Sequence, residues 1–372
     1  AGAICPQHSS VGDTASHLRF MFCTKFADRP FCMTEYNHCF WNQYQREFGL
    51  VHGAYSALQG FDAMVYDSTP VVFEARILGS FMPGGSPITR PSEFLFTCLF
   101  VRGDVKTSAH RVELQVPQSV LGEFKQASTE QTKLGLMSGF AISFPDLQPP
   151  EGVVQPAEPD IILTPAGGVK IRQNDKWTDE GEVAEGEKAG ASLDALVDRM
   201  KRTGLLPEAN ISEPSKGVFQ SDTGQITMRA EENLLKVATR FSEAVTLEAG
   251  RGEPVGQLEV VGSDTPAMVG VCAVDGKDLA ESRRMVLLYT TEAANTGMVV
   301  TPDRTTMFDD GTLPVLMKVG RLDATLQNAH GENMALYALG LNGERRERLP
   351  LAWEEGRLKI HLDTASLEHG PT

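Results

Sequence analysis

Apolar positions in the first hundred residues recur at helical spacing and then in short unbroken runs. In residues 14–27 (TASHLRFMFCTKFA), Leu18, Met21, Phe22 and Phe26 share one helical face. After the turn Asp28-Arg29-Pro30, the run Phe31-Cys32-Met33 predicts a short buried strand. The pattern then repeats. Phe48, Val51, Tyr55 and Leu58 mark a second helix within residues 42–60, and Gly60 suits its C-terminal cap. Phe61 to Tyr66 (FDAMVY) predicts a second buried strand, and residues 91–101 (PSEFLFTCLFV) another helix with Pro91 at its start. Helices alternating with apolar strands predict a parallel sheet.

Beyond about residue 105 the period falls to two. HRVELQVP, GQLEVVG, RMVLLYTT, PVLMKVG, NMALYALG and RLKIHLD alternate between Gly, Asn and Asp turns. That texture predicts an all-β region, most simply an antiparallel sandwich. Residues 146–159 are Pro-rich and read as a linker, and residues 178–190 as an acidic solvated loop. SLDALVDRMKRTG, residues 192–204, predicts a short amphipathic helix capped by Ser192 and stopped by Gly204. The expected divisions are residues 1–110 (α/β), 111–240 (β-rich, with the linker and short helix) and 241–372 (β-sandwich).

Composition narrows the function. The 372 residues carry 49 acidic against 34 basic side chains, a formal net charge of −15. Nucleic acid and anionic membranes are therefore poor partners. No apolar stretch approaches the ~18 residues of a membrane span. The opening AGAICPQHSS lacks the charged and apolar regions of a signal peptide. Six cysteines without a C-x-x-C argue against zinc and read as buried free thiols, with one disulfide left open.

Candidate chemistry concentrates in PFCMTEYNHCFWNQY, Pro30 to Tyr44, where a buried strand ends on Glu35 among Asn, His and aromatic residues. Carboxylates at the C-terminal ends of strands are where α/β barrels keep catalytic groups. The plainer reading is a helix-start region with a carboxylate on its dipole. Other motifs are weaker. There is no G-x-S-x-G, Met82 to Gly85 is not a P-loop, and the single Asp222-Thr223-Gly224 lacks the second aspartate of an aspartic protease. Arg102-Gly103-Asp104 reads as a turn, and Trp177 and Trp353 as packing residues.

TEYNH after a short strand, the N-x-Y-x-x-E of Asn42, Tyr44 and Glu47, and AYSALQGFDAMVYD together resemble the last two β/α units of a clan A glycoside hydrolase. These are retaining enzymes on (β/α)8 TIM barrels. LFVRGDVKTSA, SDTGQI, DGKDLAESRRMVLLYT and NTGM resemble the later parts of a large uncharacterised group of that clan. The resemblance implies Glu35 as nucleophile, with Asn37, His38, Asn42, Tyr44 and Tyr66 as substrate-binding residues. Tyr66 stands where the clan more often has Trp.

It implies the end of a TIM barrel followed by β-sandwich-like domains. The substrate would be an oligo- or polysaccharide, with no metal or organic cofactor, and the site extracellular or periplasmic by analogy. Retaining hydrolysis needs a second carboxyl group ~5 Å from the nucleophile. In the clan that group is a glutamate following an Asn at the end of strand four. No glutamate precedes Glu35 here, and neither Asp13 nor Asp28 follows an Asn. The expectation is a fragment, inactive alone, with the other barrel half upstream. The alternative is a non-catalytic carbohydrate-binding or structural module.

Overall fold

The computed structural model describes residues 2–66, 79, 85–121, 129–147, 156–184 and 188–368. Helix α1 (Ser16–Phe22) leads to strand β1 (Cys32–Tyr36), helix α2 (Phe48–Leu58) and strand β2 (Ala63–Tyr66). β1 and β2 are parallel, pairing Cys32 with Ala63, Met33 with Met64 and Tyr36 with Tyr66, with a register irregularity before Tyr36. The predicted strand–helix–strand unit is therefore present. Among the described residues these two strands form a sheet by themselves, and no barrel is closed.

Helix α3 (Thr89–Phe96) begins two residues before Pro91 and runs into a π turn, Thr97–Val101. α2 is buried along its whole length rather than on one face. One side meets β1 and β2, and α3 crosses another at Gly49, where a Cβ would lie 2.1 Å from the Ser92 carbonyl oxygen.

The region after residue 105 departs from the antiparallel expectation. β3 (Arg111–Gln115) runs parallel to both of its neighbours, β4 (Gly139–Ser143) and β5 (Ile161–Leu163). Burial explains this: Val112, Glu113 and Leu114 are all buried, so β3 is a covered central strand despite its alternating sequence. β6 (Gly168–Gln173) and β7 (Lys176–Glu182) complete this sheet as an antiparallel hairpin. Part of the expected acidic loop is thus strand β7, where Trp177 is 38% exposed rather than packed. Residues 148–155 of the Pro-rich stretch lie outside the described residues. The amphipathic helix is α4 (Ala189–Arg202), longer than expected at its start. Ser192 lies inside it, accepting a hydrogen bond from the Ala184 amide. Gly204 (φ 80°) follows its end, as expected.

The rest is largely antiparallel. A six-stranded sheet contains β8 (Val218–Gln220), β9 (Ile226–Arg229), β10 (Leu234–Ala238), β11 (Ser242–Leu247), β13 (Ala267–Ala273) and β14 (Met285–Thr290). β12 (Leu258–Ser263), β15 (Arg321–Gln327) and β16 (Arg357–Asp363) belong to a five-stranded sheet. β10 and β11, on either side of residue 240, are neighbours in one sheet.

β13 shows how the layers stack. Met268 and Cys272 face one core shared with α1, α2 and α3, while Val269, Val271 and Ala273 face a second core shared with β12, β15 and β16. Alternation along the strand divides its side chains between two buried faces. The six-stranded sheet is therefore the middle layer.

Candidate functional site

Glu35 occupies the last turn of the β1 ladder, one residue before Tyr36 pairs with Tyr66. Met33 and Tyr36 are buried toward α2, so the intervening side chains point away from it. Cys32, Thr34, Glu35, Ala63 and Val65 are all exposed. The β1–β2 sheet thus has a covered face and an open face, and the Glu35 carboxylate is on the open one. Among the described residues no hydrogen-bond donor or cation is paired with it.

The other candidates gather elsewhere. Tyr66 packs on the α2 side, with ring centroids 5.6 Å from Tyr36 and 5.2 Å from Phe48. Asn37 accepts the His38 amide hydrogen at 2.6 Å through its Oδ1. The His38 ring turns inward, with Nε2 3.1 Å from Ser10 Oγ and its centroid 5.8 Å from both Phe48 and His52. Asn42 is buried, and its Oδ1 accepts the Tyr44 amide hydrogen at 2.8 Å in a local turn. Tyr44 lies by the Arg46 guanidinium in a polar cleft of about 100 Å³, lined also by Glu248, Glu292 and Lys318. Trp41 is buried edge-to-face on Phe40. The fold gathers His38 with the aromatic cluster under the sheet, whereas Glu35 stands apart on the other face.

That cluster contains a residue outside the expected set. His52, on α2, hydrogen-bonds through Nδ1 to the Phe48 carbonyl at 3.0 Å. Donation to a carbonyl fixes the proton on Nδ1, leaving Nε2 as a buried acceptor, without a partner among the described residues. Burial pushes the His38 pKa down to about 4, with the His17 charge adding to the effect, and that of His52 to about 3, with the charges of His38 and His17 adding and the Phe48 carbonyl opposing. Both rings are neutral at pH 7. Their spacing of 38 and 52, straddling the strand–helix connection, carries no sequence signal of contact.

Glu47, the last residue of the N-x-Y-x-x-E match, is fully buried beside the start of α2. Ser9 Oγ donates to its two oxygens at 2.9 and 3.1 Å, and the Val11 amide donates at 3.1 Å. Burial raises its pKa to about 7 against the opposing pull of Arg46 and these donors. It ties the N-terminal segment to α2.

Asp13 is exposed and hydrogen-bonded to Ser16, and Asp28 pairs with Arg29. Neither joins Glu35 in a two-carboxylate arrangement. The Arg102-Gly103-Asp104 turn is folded inward, with Asp104 buried against Arg102 at 2.5 Å. Asp222 accepts the Ser108 hydroxyl at 2.5 Å. Among the described residues no group of three His, Cys, Asp or Glu side chains is placed to hold a metal ion, and no helix is long and apolar enough to cross a membrane. No known protein family, curated protein or solved structure matches the chain.

Proposed function

We propose that the chain is the terminal part of a retaining glycoside hydrolase acting on the O-glycosidic bonds of an oligo- or polysaccharide, with Glu35 as its nucleophile. The observation that carries this reading is the open parallel pair β1–β2. Parallel strands are ordinarily covered on both faces. Here α2 covers one face, and the other presents a carboxylate at the C-terminal end of its strand, where barrel enzymes keep catalytic groups. Further parallel strands continuing this sheet would place Glu35 on the inside of a barrel. The acid/base glutamate would arrive on one of them, so this chain alone does not turn over a glycoside.

In the reaction, a Glu35 oxygen attacks the anomeric carbon while the leaving oxygen takes a proton from the acid/base. Water then releases the sugar from the ester at Glu35. Asn37, just past the end of β1, would bound the site, and Tyr66, packed on the α2 side, would join it only by turning outward. His38 and Asn42 reach substrate in this reading only if the loop after β1 turns outward.

The test is covalent trapping. The full reading frame, including whatever precedes Ala1, is expressed and treated with a 2-deoxy-2-fluoro glycoside carrying a dinitrophenolate leaving group. Mass spectrometry should place the adduct on Glu35, and Glu35→Gln should take none. An adduct on another carboxylate removes Glu35 from its role. Turnover by the present chain alone, abolished by Glu35→Gln, overturns the fragment reading. The inward-facing His38 and Asn42 favour a second reading, a non-catalytic carbohydrate-binding or structural module, which predicts no adduct, with or without sugar binding.

A further inference from the structure

The polar cleft beside Tyr44 is built from segments remote in sequence. Gln43, Tyr44 and Arg46 come from the loop after β1. Glu248 follows β11 in the middle sheet. Glu292 and Lys318 stand just outside Ala293 and Met317, the end pair of a two-stranded antiparallel sheet. Hydrogen bonds tie these segments together. Gln45 Nε2 donates to the Ala293 carbonyl at 3.4 Å, and the Lys318 amide donates to the Glu292 carbonyl at 2.7 Å.

Arg46 is the buried member, 4% exposed. Its Nη1 donates to the Gln43 carbonyl at 2.7 Å and its Nη2 to Glu248 Oε1 at 3.1 Å. Its guanidinium carbon lies 5.3 Å from the centre of the Tyr44 ring, and its Nε–H is buried without a partner among the described residues. Glu292 is paired through Oε1 with Arg304. Each arginine thus meets one glutamate. The second oxygen of each glutamate has no partner among the described residues. Lys318 is exposed, and among the described residues its ammonium has neither a hydrogen bond nor an ion pair. The uncommitted groups facing the cleft therefore include one cation and two carboxylate oxygens.

We propose that this cleft binds a uronate unit of an acidic saccharide, with the sugar carboxylate on Lys318 and sugar hydroxyls donating to Glu248 and Glu292. An ammonium has donors only, and a carboxylate is its strong partner. An ionised glutamate oxygen accepts only, so it takes a hydroxyl. A sugar acid carries both kinds of group a few bonds apart. The cleft holds about 100 Å³, well below the ~300 Å³ of a pocket that encloses a small molecule, so one edge of the ring enters and the chain continues outside. The choice of a saccharide rests on the glycosidase reading and narrows its substrate to an acidic glycan. Glu35 does not line the cleft. Binding here and chemistry at Glu35 are therefore separable.

The test is isothermal titration of the full chain with D-glucuronate and D-galacturonate, against D-glucose, D-galactose, acetate and glycine. At least one uronate should bind about tenfold or more tightly than its neutral parent sugar, acetate and glycine. Lys318→Ala should weaken that binding by about tenfold or more, and Lys318→Arg should restore most of it. Lys318 is exposed, so both variants should fold. Glu35→Gln should bind the uronate as the parent chain does. Absence of uronate binding overturns the proposal, as does a neutral sugar, acetate or glycine held equally well. So does binding that ignores Lys318→Ala or is lost in Glu35→Gln. Uronate binding without a Glu35 adduct in the trapping experiment keeps the cleft and removes the nucleophile. An adduct without uronate binding does the reverse.

Discussion

Two glutamates twelve positions apart show how environment assigns different work to one side chain. Glu35 is exposed on an open sheet face, so replacing it should cost the fold nothing. Glu35→Gln should change stability in urea by less than about 0.5 kcal/mol. Glu47 is fully buried, with its pKa raised to about 7. A carboxyl group raised by burial favours the folded state while protonated. That contribution is complete below the unfolded value near 4.5 and is lost as pH rises through about 7. The full loss is on the order of 3 kcal/mol. Glu47→Gln should therefore flatten this decline when urea unfolding is compared at pH 5 and pH 8.

His38 and His52 act in the opposite sense. Their lowered pKa values give stability that is complete above about 6.5 and is lost as pH falls through about 4 and 3. His52→Gln should reduce acid sensitivity between pH 6.5 and pH 4, measured as the shift in Tm across that range. The composition of the Pro30–Tyr44 segment made Glu35 a candidate from sequence. The sign of the Glu47 shift was not legible there, because it follows from burial against Ser9 and Val11, contributed by a remote segment.

At the scale of elements, α2 is the clearest case of a helix read correctly in place and incompletely in burial. The apolar stripe of Phe48, Val51, Tyr55 and Leu58 located it. Its remaining face carries Gly49, Gly53 and Ala57, small residues that let α3 and the neighbouring layers approach. Small side chains bury without announcing themselves as apolar periodicity. In an exposed helix Gly→Ala would stabilise by about 1 kcal/mol. At Gly49 the new Cβ would collide with the Ser92 backbone, so Gly49→Ala should instead destabilise by about 2–4 kcal/mol, read as a fall in the urea midpoint.

β3 makes a related point. Its alternation predicted an antiparallel strand with one wet face, yet Glu113 is buried and accepts the Ser143 hydroxyl at 2.6 Å. A polar residue with a buried partner reads in sequence like a solvent-facing one.

For the whole molecule, the cohesion of the layers rests on a short turn. Arg102 and Asp104 connect the end of the helical layer to Ser242 and Ala273 of the middle sheet. Asp104 is buried, so Arg102→Ala leaves a carboxylate without its cation. That substitution should destabilise by about 3 kcal/mol. The double variant Arg102→Ala/Asp104→Ala should cost less than the sum of the singles in equilibrium unfolding.

The sequence by itself determined the α/β start, the β-rich remainder, the helix after the acidic stretch and the placement of Glu35 at a strand end. Periodicity and turn residues are local, and local pattern suffices for these. The tertiary structure alone decided that β1 and β2 leave a face open and that β13 serves two cores. It also decided that His38 turns toward His52 and that Arg102 reaches Ser242 and Ala273. Each of these is a contact between remote segments. Such contacts are set by which surfaces exclude water together, which the spacing of residues along one segment does not encode.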